Sequence, residues 1–300
     1  MSTVGLFSHV EYPLRRTLDY PGDPGVCGPG SASWPLIGDV TAFVGGIRAL
    51  LIQSAHPEVV AGVADHSLFR EDPLGRLSRT SAYVTATTFG ALPEVSRAVD
   101  LVRTAHRVVV GRSHRGLPYS AGAPALSAWV HNVLTDSFLA AYQAYGPRFV
   151  TPSEADRFVA EQARIGRMLD ADPLPGDAGA LRRWIGGHPD LGPSPGMQAA
   201  VEFLSDPPLD PLHKAGYGLL FKGAVAITPV RIRRILGMRG VPGGRLAGRV
   251  ATASLRWAMG SSPSWHLALV RAGCPVPPGL FRQPLPATSG SDGSAQRGGH

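Results

Sequence analysis

Residues 92–111 read LPEVSRAVDLVRTAHRVVVG, and their spacing sets the class of the chain. Val95, Val99, Val102, His106 and Val109 recur at intervals that gather them on one face of an α-helix. Arg97, Asp100, Thr104 and Arg107 fall on the opposite face. The stretch therefore predicts an amphipathic helix with an apolar side to bury, and a histidine set among valines on that side.

Outward from this helix the same period persists. Asp39 is placed to cap a helix whose Val40, Phe43, Val44, Ile47, Leu50 and Leu51 share a face. Pro57 and Pro73 sit where the first turn of a helix tolerates proline, with Asp72 ready to cap the second. Residues 124–145 are apolar nearly all round, as in a helix enclosed by others. Thr151-Pro152-Ser153-Glu154 is a capping box that opens a helix to about Leu169. Further helices are predicted near 177–187, 195–205, 211–226, 229–237 and 243–259. Residues 21–35, PGDPGVCGPGSASWP, read as a loop because proline and glycine resist regular structure. No alternation of period two persists, so a sheet is not expected. The fold class that follows is all-α, one helical domain over 38–260. A segment with a Pro/Gly-rich loop (1–37) precedes it, and an extension (261–285) and a disordered tail (286–300) follow.

Composition narrows the function classes. The chain has 300 residues, 44% of them apolar and 17% charged, as in globular proteins. The first fifteen residues lack a signal-peptide block, and the most apolar long stretch, 215–230, carries Lys222 in its middle. A cytoplasmic location is the expectation. Cys27 and Cys274 form no pair motif, and no two histidines stand four apart, so neither a disulfide framework nor a helical zinc pair is indicated. Gly111-Arg-Ser113-His-Arg-Gly116 approaches a nucleophile elbow but has one residue too many and no predicted strand before it.

Charge is unevenly distributed. Residues 211–291 contain two Lys, nine Arg and no Asp or Glu, whereas the first 210 residues carry 17 Arg and 21 acids. Such a region either meets anionic lipid headgroups, giving a peripheral membrane contact, or stays solvated and internally paired. Nucleic acid is not an expected partner, because no binding motif accompanies the charge.

The candidate site residues lie between His56 and His131. His106 on its valine face is either a core histidine or an axial ligand of haem iron, for which neutral imidazole is a common choice. His131, in Trp129-Val130-His131, is either a hydrogen-bonded core residue or a distal-side group or second ligand. Arg76, Arg79 and Thr80 fall within two turns of one helix, Arg76 and Thr80 on the same face. Two guanidinium groups so placed read as partners for an anion, for the acids Asp65, Glu71 or Asp72, or as an ordinary surface.

Taken together, His56-Pro57, His66-Ser67-x-Phe69, Asp72-Pro73, Arg76-x-x-Arg79-Thr80, the helix bearing His106 and Trp129-Val130-His131 resemble the MpaB-type oxygenase family. That family includes the rubber oxygenases (latex clearing proteins). The resemblance runs from about Leu36 to Leu169. It implies a globin-like core holding haem b, with His106 as proximal iron ligand and Arg76, Arg79 and Thr80 as the polar group beside the haem. It further implies dioxygen as co-substrate and an apolar unsaturated, isoprenoid-like molecule as substrate. Two positions depart from the family pattern. Rubber oxygenases carry lysine where this chain has Arg79, and a guanidinium has no lone pair for iron. They also carry a glutamate where Val60 stands. The competing expectation is a haem or apolar-ligand carrier or sensor without catalysis.

Overall fold

A computed structural model describes residues 11–66 and 73–288, the side chains of 73–77 excepted. Within these residues lie thirteen helices: α1 (Ser33–Gly38), α2 (Thr41–Ser54), α3 (Pro57–His66), α4 (Pro73–Phe89), α5 (Leu92–His106), α6 (Pro124–Tyr145), α7 (Pro152–Arg167), α8 (Ala178–Gly187), α9 (Pro195–Ser205), α10 (Pro211–Ala226), α11 (Val230–Ile235), α12 (Gly244–Met259) and α13 (Pro263–Arg271). Between α5 and α6 the chain forms two short strands, β1 (Val110–Arg112) and β2 (Pro118–Ser120). The protein is all-α apart from this hairpin.

Many helix starts are local chemistry. Seven helices begin on proline, whose missing N–H costs nothing in a first turn. Thr151, Asp177, Ser194 and Asp210 each accept a backbone N–H from the helix they precede, which satisfies an otherwise orphaned donor.

The core is centred on α2 and α6. Gly45 lets them close: a Cβ there would lie 2.7 Å from Cδ1 of Phe138. Beside that contact Arg48 is buried, donating to Asp136 and Ser137 of α6 at 2.7 Å and to the Ile227 carbonyl at 3.2 Å. One side chain thus ties α2, α6 and the end of α10. A second close approach joins α10 to α12, where a Cβ on Gly223 would meet Cα of Gly248 at 2.8 Å.

Three expectations are corrected, and one segment is found to hold a further helix. The helix from Leu92 stops at His106, and Val109 belongs to the connection into β1 rather than to the valine face. A sheet does exist, with Val110 opposite Ser120 and Arg112 opposite Pro118; its strands are too short to leave a period-two signature. Ser33 and Trp34, placed in the loop 21–35, begin α1 because Glu161 of α7 caps them, accepting from the N–H groups of Ala32 and Ser33 at 3.1 and 2.9 Å. The extension after residue 260 contains α13, held by Arg271, which is buried and donates to Thr17 and to the Phe89 carbonyl. Ser67, Phe69, Asp72 and the tail after Thr288 lie outside the described residues.

Candidate functional site

The sequence-selected residues occupy two packed helices and a third removed from them. His106 is the last residue of α5 and is half-buried. Burial holds its pKa below the usual histidine value, so the ring is neutral at pH 7. No described residue is among the causes of that shift or hydrogen-bonds the ring. On α4, which packs against α5, Thr80 is half-buried and Arg79 exposed; the side chain of Arg76 lies outside the described residues. One turn beyond Arg79 and Thr80, the Tyr83 hydroxyl is buried with no hydrogen-bond partner among the described residues. Burial raises its pKa well above the ordinary tyrosine value. A neutral imidazole and an orphaned phenol on neighbouring helices are groups that a bound molecule would satisfy.

His131 has a different setting. Its Nε2 donates to the Gln162 carbonyl at 2.8 Å, and its ring packs on Gly166, where a Cβ would lie 2.8 Å from Cδ2. Complete burial pushes its pKa down to about 4. The structure therefore places His131 in the contact of α6 with α7, with one ring nitrogen already engaged. Val60, which the resemblance sets against a glutamate, is buried against Gly196 of α9. The neighbouring polar groups of α3 are turned to the hairpin and its loop. The Tyr119 hydroxyl donates to Asp65 at 2.5 Å, His66 Nε2 donates to the Val110 carbonyl at 2.9 Å, and the Ser113 hydroxyl donates to Glu58 at 2.7 Å. Ser113 thus sits in a hairpin loop, after a strand but not before a helix, and its hydroxyl is committed to Glu58.

A second polar cluster escaped the sequence reading. His56, at the α2–α3 junction, is buried, and its ring lies 5.4 Å from that of His188, which follows α8. The His188 ring is flanked by Trp129 at 4.8 Å and Trp184 at 4.9 Å. Asp190 lies beside it, with a carboxylate oxygen 3.9 Å from His188 Nδ1. Glu58 is 3.4 Å from His56 Nδ1 and is held by a two-pronged contact from Arg115, whose guanidinium also reaches the Asp190 carbonyl at 3.3 Å. Arg115 and Ser113 hold the Glu58 pKa below its usual value against the opposing effect of burial. Burial keeps His56 neutral, its pKa lowered to about 4. Only the pair His56-Pro57 was visible as a motif, because its partners come from distant parts of the chain.

An all-α domain with polar side chains gathered around α3, α4, α5 and a small hairpin is the class these observations define. The chain belongs to the family described as ER-bound oxygenase mpaB/B'/Rubber oxygenase, catalytic domain, whose model matches residues 34–258. The match begins in α1 and ends in α12, well beyond Leu169, where the resemblance in sequence faded. It makes this an oxygenase-family catalytic domain. Neither a curated protein nor a solved structure shows a significant match. Among the described residues no helix is long and apolar enough to cross a membrane.

Proposed function

We propose that the chain is a haem b-dependent oxygenase that acts on an apolar unsaturated substrate of isoprenoid type, with His106 as the iron ligand. Family membership carries this reading. The donor chemistry fits it: His106 is a neutral imidazole without a described partner, and the buried Tyr83 hydroxyl awaits an acceptor. Bound haem would supply the capacity to bind and activate dioxygen. The protein's part is then to hold and to orient. Val95 and Val99, both buried on α5, give the wall on which the His106 face rests. Arg76 and Arg79 carry guanidinium groups, a chemistry suited to the carboxylates of haem and unsuited to iron. Thr80 offers a hydroxyl on the same helix. His131, whose Nε2 is engaged with the Gln162 carbonyl, would not be among the residues that hold the haem.

The test is an absorption spectrum of protein from haem-supplemented cells, reduced and treated with carbon monoxide, for wild type and His106→Ala. A Soret band that shifts with carbon monoxide and vanishes in the variant supports the reading. A wild-type protein that stays colourless after haem titration overturns it. Oxygen uptake with an unsaturated lipid separates the enzyme from a carrier or sensor, the reading favoured by valine rather than glutamate at position 60.

A membrane surface is the proposed source of substrate. Leu246, Val250 and Trp257 of α12 are 66%, 49% and 75% exposed and fall in one stripe, opposite the buried Gly248, Ala251 and Thr252. Arg245 and Arg249, both exposed, lie along one side of the stripe, an arrangement suited to an interfacial helix on anionic lipid, while Arg256 is paired with Asp39.

A further inference from the structure

Three segments that the haem reading leaves unused meet at one corner: the α2–α3 junction, the hairpin loop and the stretch after α8. His56, His188 and Asp190 each offer one ligand atom there, and these atoms all lie within 4.8 Å of one another. We infer that the three residues bind one divalent first-row transition metal ion through two imidazoles and a carboxylate.

The surroundings match what such sites require. A metal-bound histidine usually gives its other N–H to a carboxylate, which fixes the ring and its tautomer. His56 Nδ1 is enclosed, without a hydrogen bond among the described residues, and its near neighbour is the Glu58 carboxylate at 3.4 Å. A small rotation would turn that contact into the orienting hydrogen bond and leave Nε2 for the metal. Glu58 is in turn fixed by Ser113 and Arg115, so its charge is already balanced and it acts as the positioning group rather than as a ligand. Trp129 and Trp184 close the apolar side of the His188 ring and limit its swing.

Ligand atoms about 2.1 Å from a tetrahedral zinc lie roughly 3.4 Å apart. Closing to that distance needs side-chain rotation, and Asp190, its side chain 56% exposed, has room for it. Two nitrogens and one oxygen favour zinc, cobalt or ferrous iron over calcium or magnesium, which prefer oxygen alone. Three protein ligands leave positions open. With ferrous iron this is the donor set used by non-haem oxygenases, which would give the chain a place to meet dioxygen that does not involve His106.

The experiment uses the full-length chain stripped with a chelator and titrated with Co2+, followed by visible absorption, and with Zn2+ by calorimetry. One ion per chain is expected, with d–d bands showing nitrogen and oxygen ligation. Asp190→Asn should weaken binding by about tenfold or more, and His188→Gln should abolish the bands. Asp190 is exposed, so its variant should fold, and an unchanged unfolding midpoint checks this. Absence of stoichiometric binding of either ion overturns the proposal. So does binding that is unchanged in both variants, since it would then reside on exposed pairs such as His213 and Asp210. His106→Ala should leave the cobalt titration unchanged, so this site and the haem reading fail separately.

Discussion

His131 allows a sharp test, because its burial has a thermodynamic signature that a ligand role would not share. In the folded chain its pKa is about 4, against 6.5 for an unperturbed histidine. The unfolded chain therefore takes up a proton below pH 6.5 that the folded chain refuses, and stability falls as pH drops through the window from 6.5 to 4. Each pKa unit corresponds to about 1.4 kcal/mol, so the loss is about 2 kcal/mol at pH 5 and about 3 kcal/mol near pH 4. Above pH 7 the residue contributes nothing to the slope. His131→Leu removes this dependence while costing about 1 kcal/mol at every pH for the lost hydrogen bond to Gln162. Urea unfolding of both proteins at pH 7, 5.5, 5 and 4.5 gives the comparison, and the difference between them isolates His131 from His56 and other groups. Wild type should lose stability relative to the variant as pH falls. Parallel curves would refute the argument, as would a haem spectrum altered by His131→Leu at pH 7, which would place the ring on the iron.

Three further outcomes follow from other contacts. Asp136→Ala leaves the Arg48 guanidinium buried without its counter-ion and should cost about 3–5 kcal/mol in chemical unfolding, whereas replacing both residues by Leu and Met should cost far less. Tyr83→Phe removes an orphaned buried hydroxyl and should stabilise the haem-free chain by about 1 kcal/mol, while weakening haem retention in a transfer assay. Changing Arg245 and Arg249 to Glu should abolish co-sedimentation with anionic vesicles and leave the melting temperature within a few degrees; binding that is independent of anionic lipid would remove the membrane proposal.

What the sequence disclosed was mostly local. Thr151, with Pro152 and Glu154 behind it, announces α7 by chemistry within one turn, and Pro57, Pro124 and Pro195 mark starts the same way. The helix α1 could not be read so, because the group that caps it, Glu161, stands 128 residues further on from Ser33. The hairpin was hidden by its brevity and by Val109, which continues the helical pattern past the true end of α5. At the candidate haem site, the half-buried position of His106 was legible from its valine neighbours. The cluster of His56, His188 and Asp190 was not, because spacing rules detect ligands on a shared helix, and these residues are brought together only by tertiary folding.

Arg256 in the basic third of the chain is paired with the Asp39 carboxylate, whereas three other arginines there donate to carbonyls. Arg231 donates to the Gly186 and His188 carbonyls, Arg282 to that of Trp257, and Arg271 to those of Asp23 and Phe89. Carbonyl oxygens satisfy donors without cancelling charge, and they do not titrate. Guanidinium groups keep their proton throughout the accessible pH range. The charge that exposed guanidinium groups such as Arg245 and Arg249 contribute to this part of the molecule therefore does not depend on nearby carboxylates changing state. Ions in the medium can shorten its reach, to about 8 Å at physiological strength, but the protein has few acids of its own nearby with which to switch it off. Any pH dependence in what gathers there would come from the partner or from side chains other than these arginines.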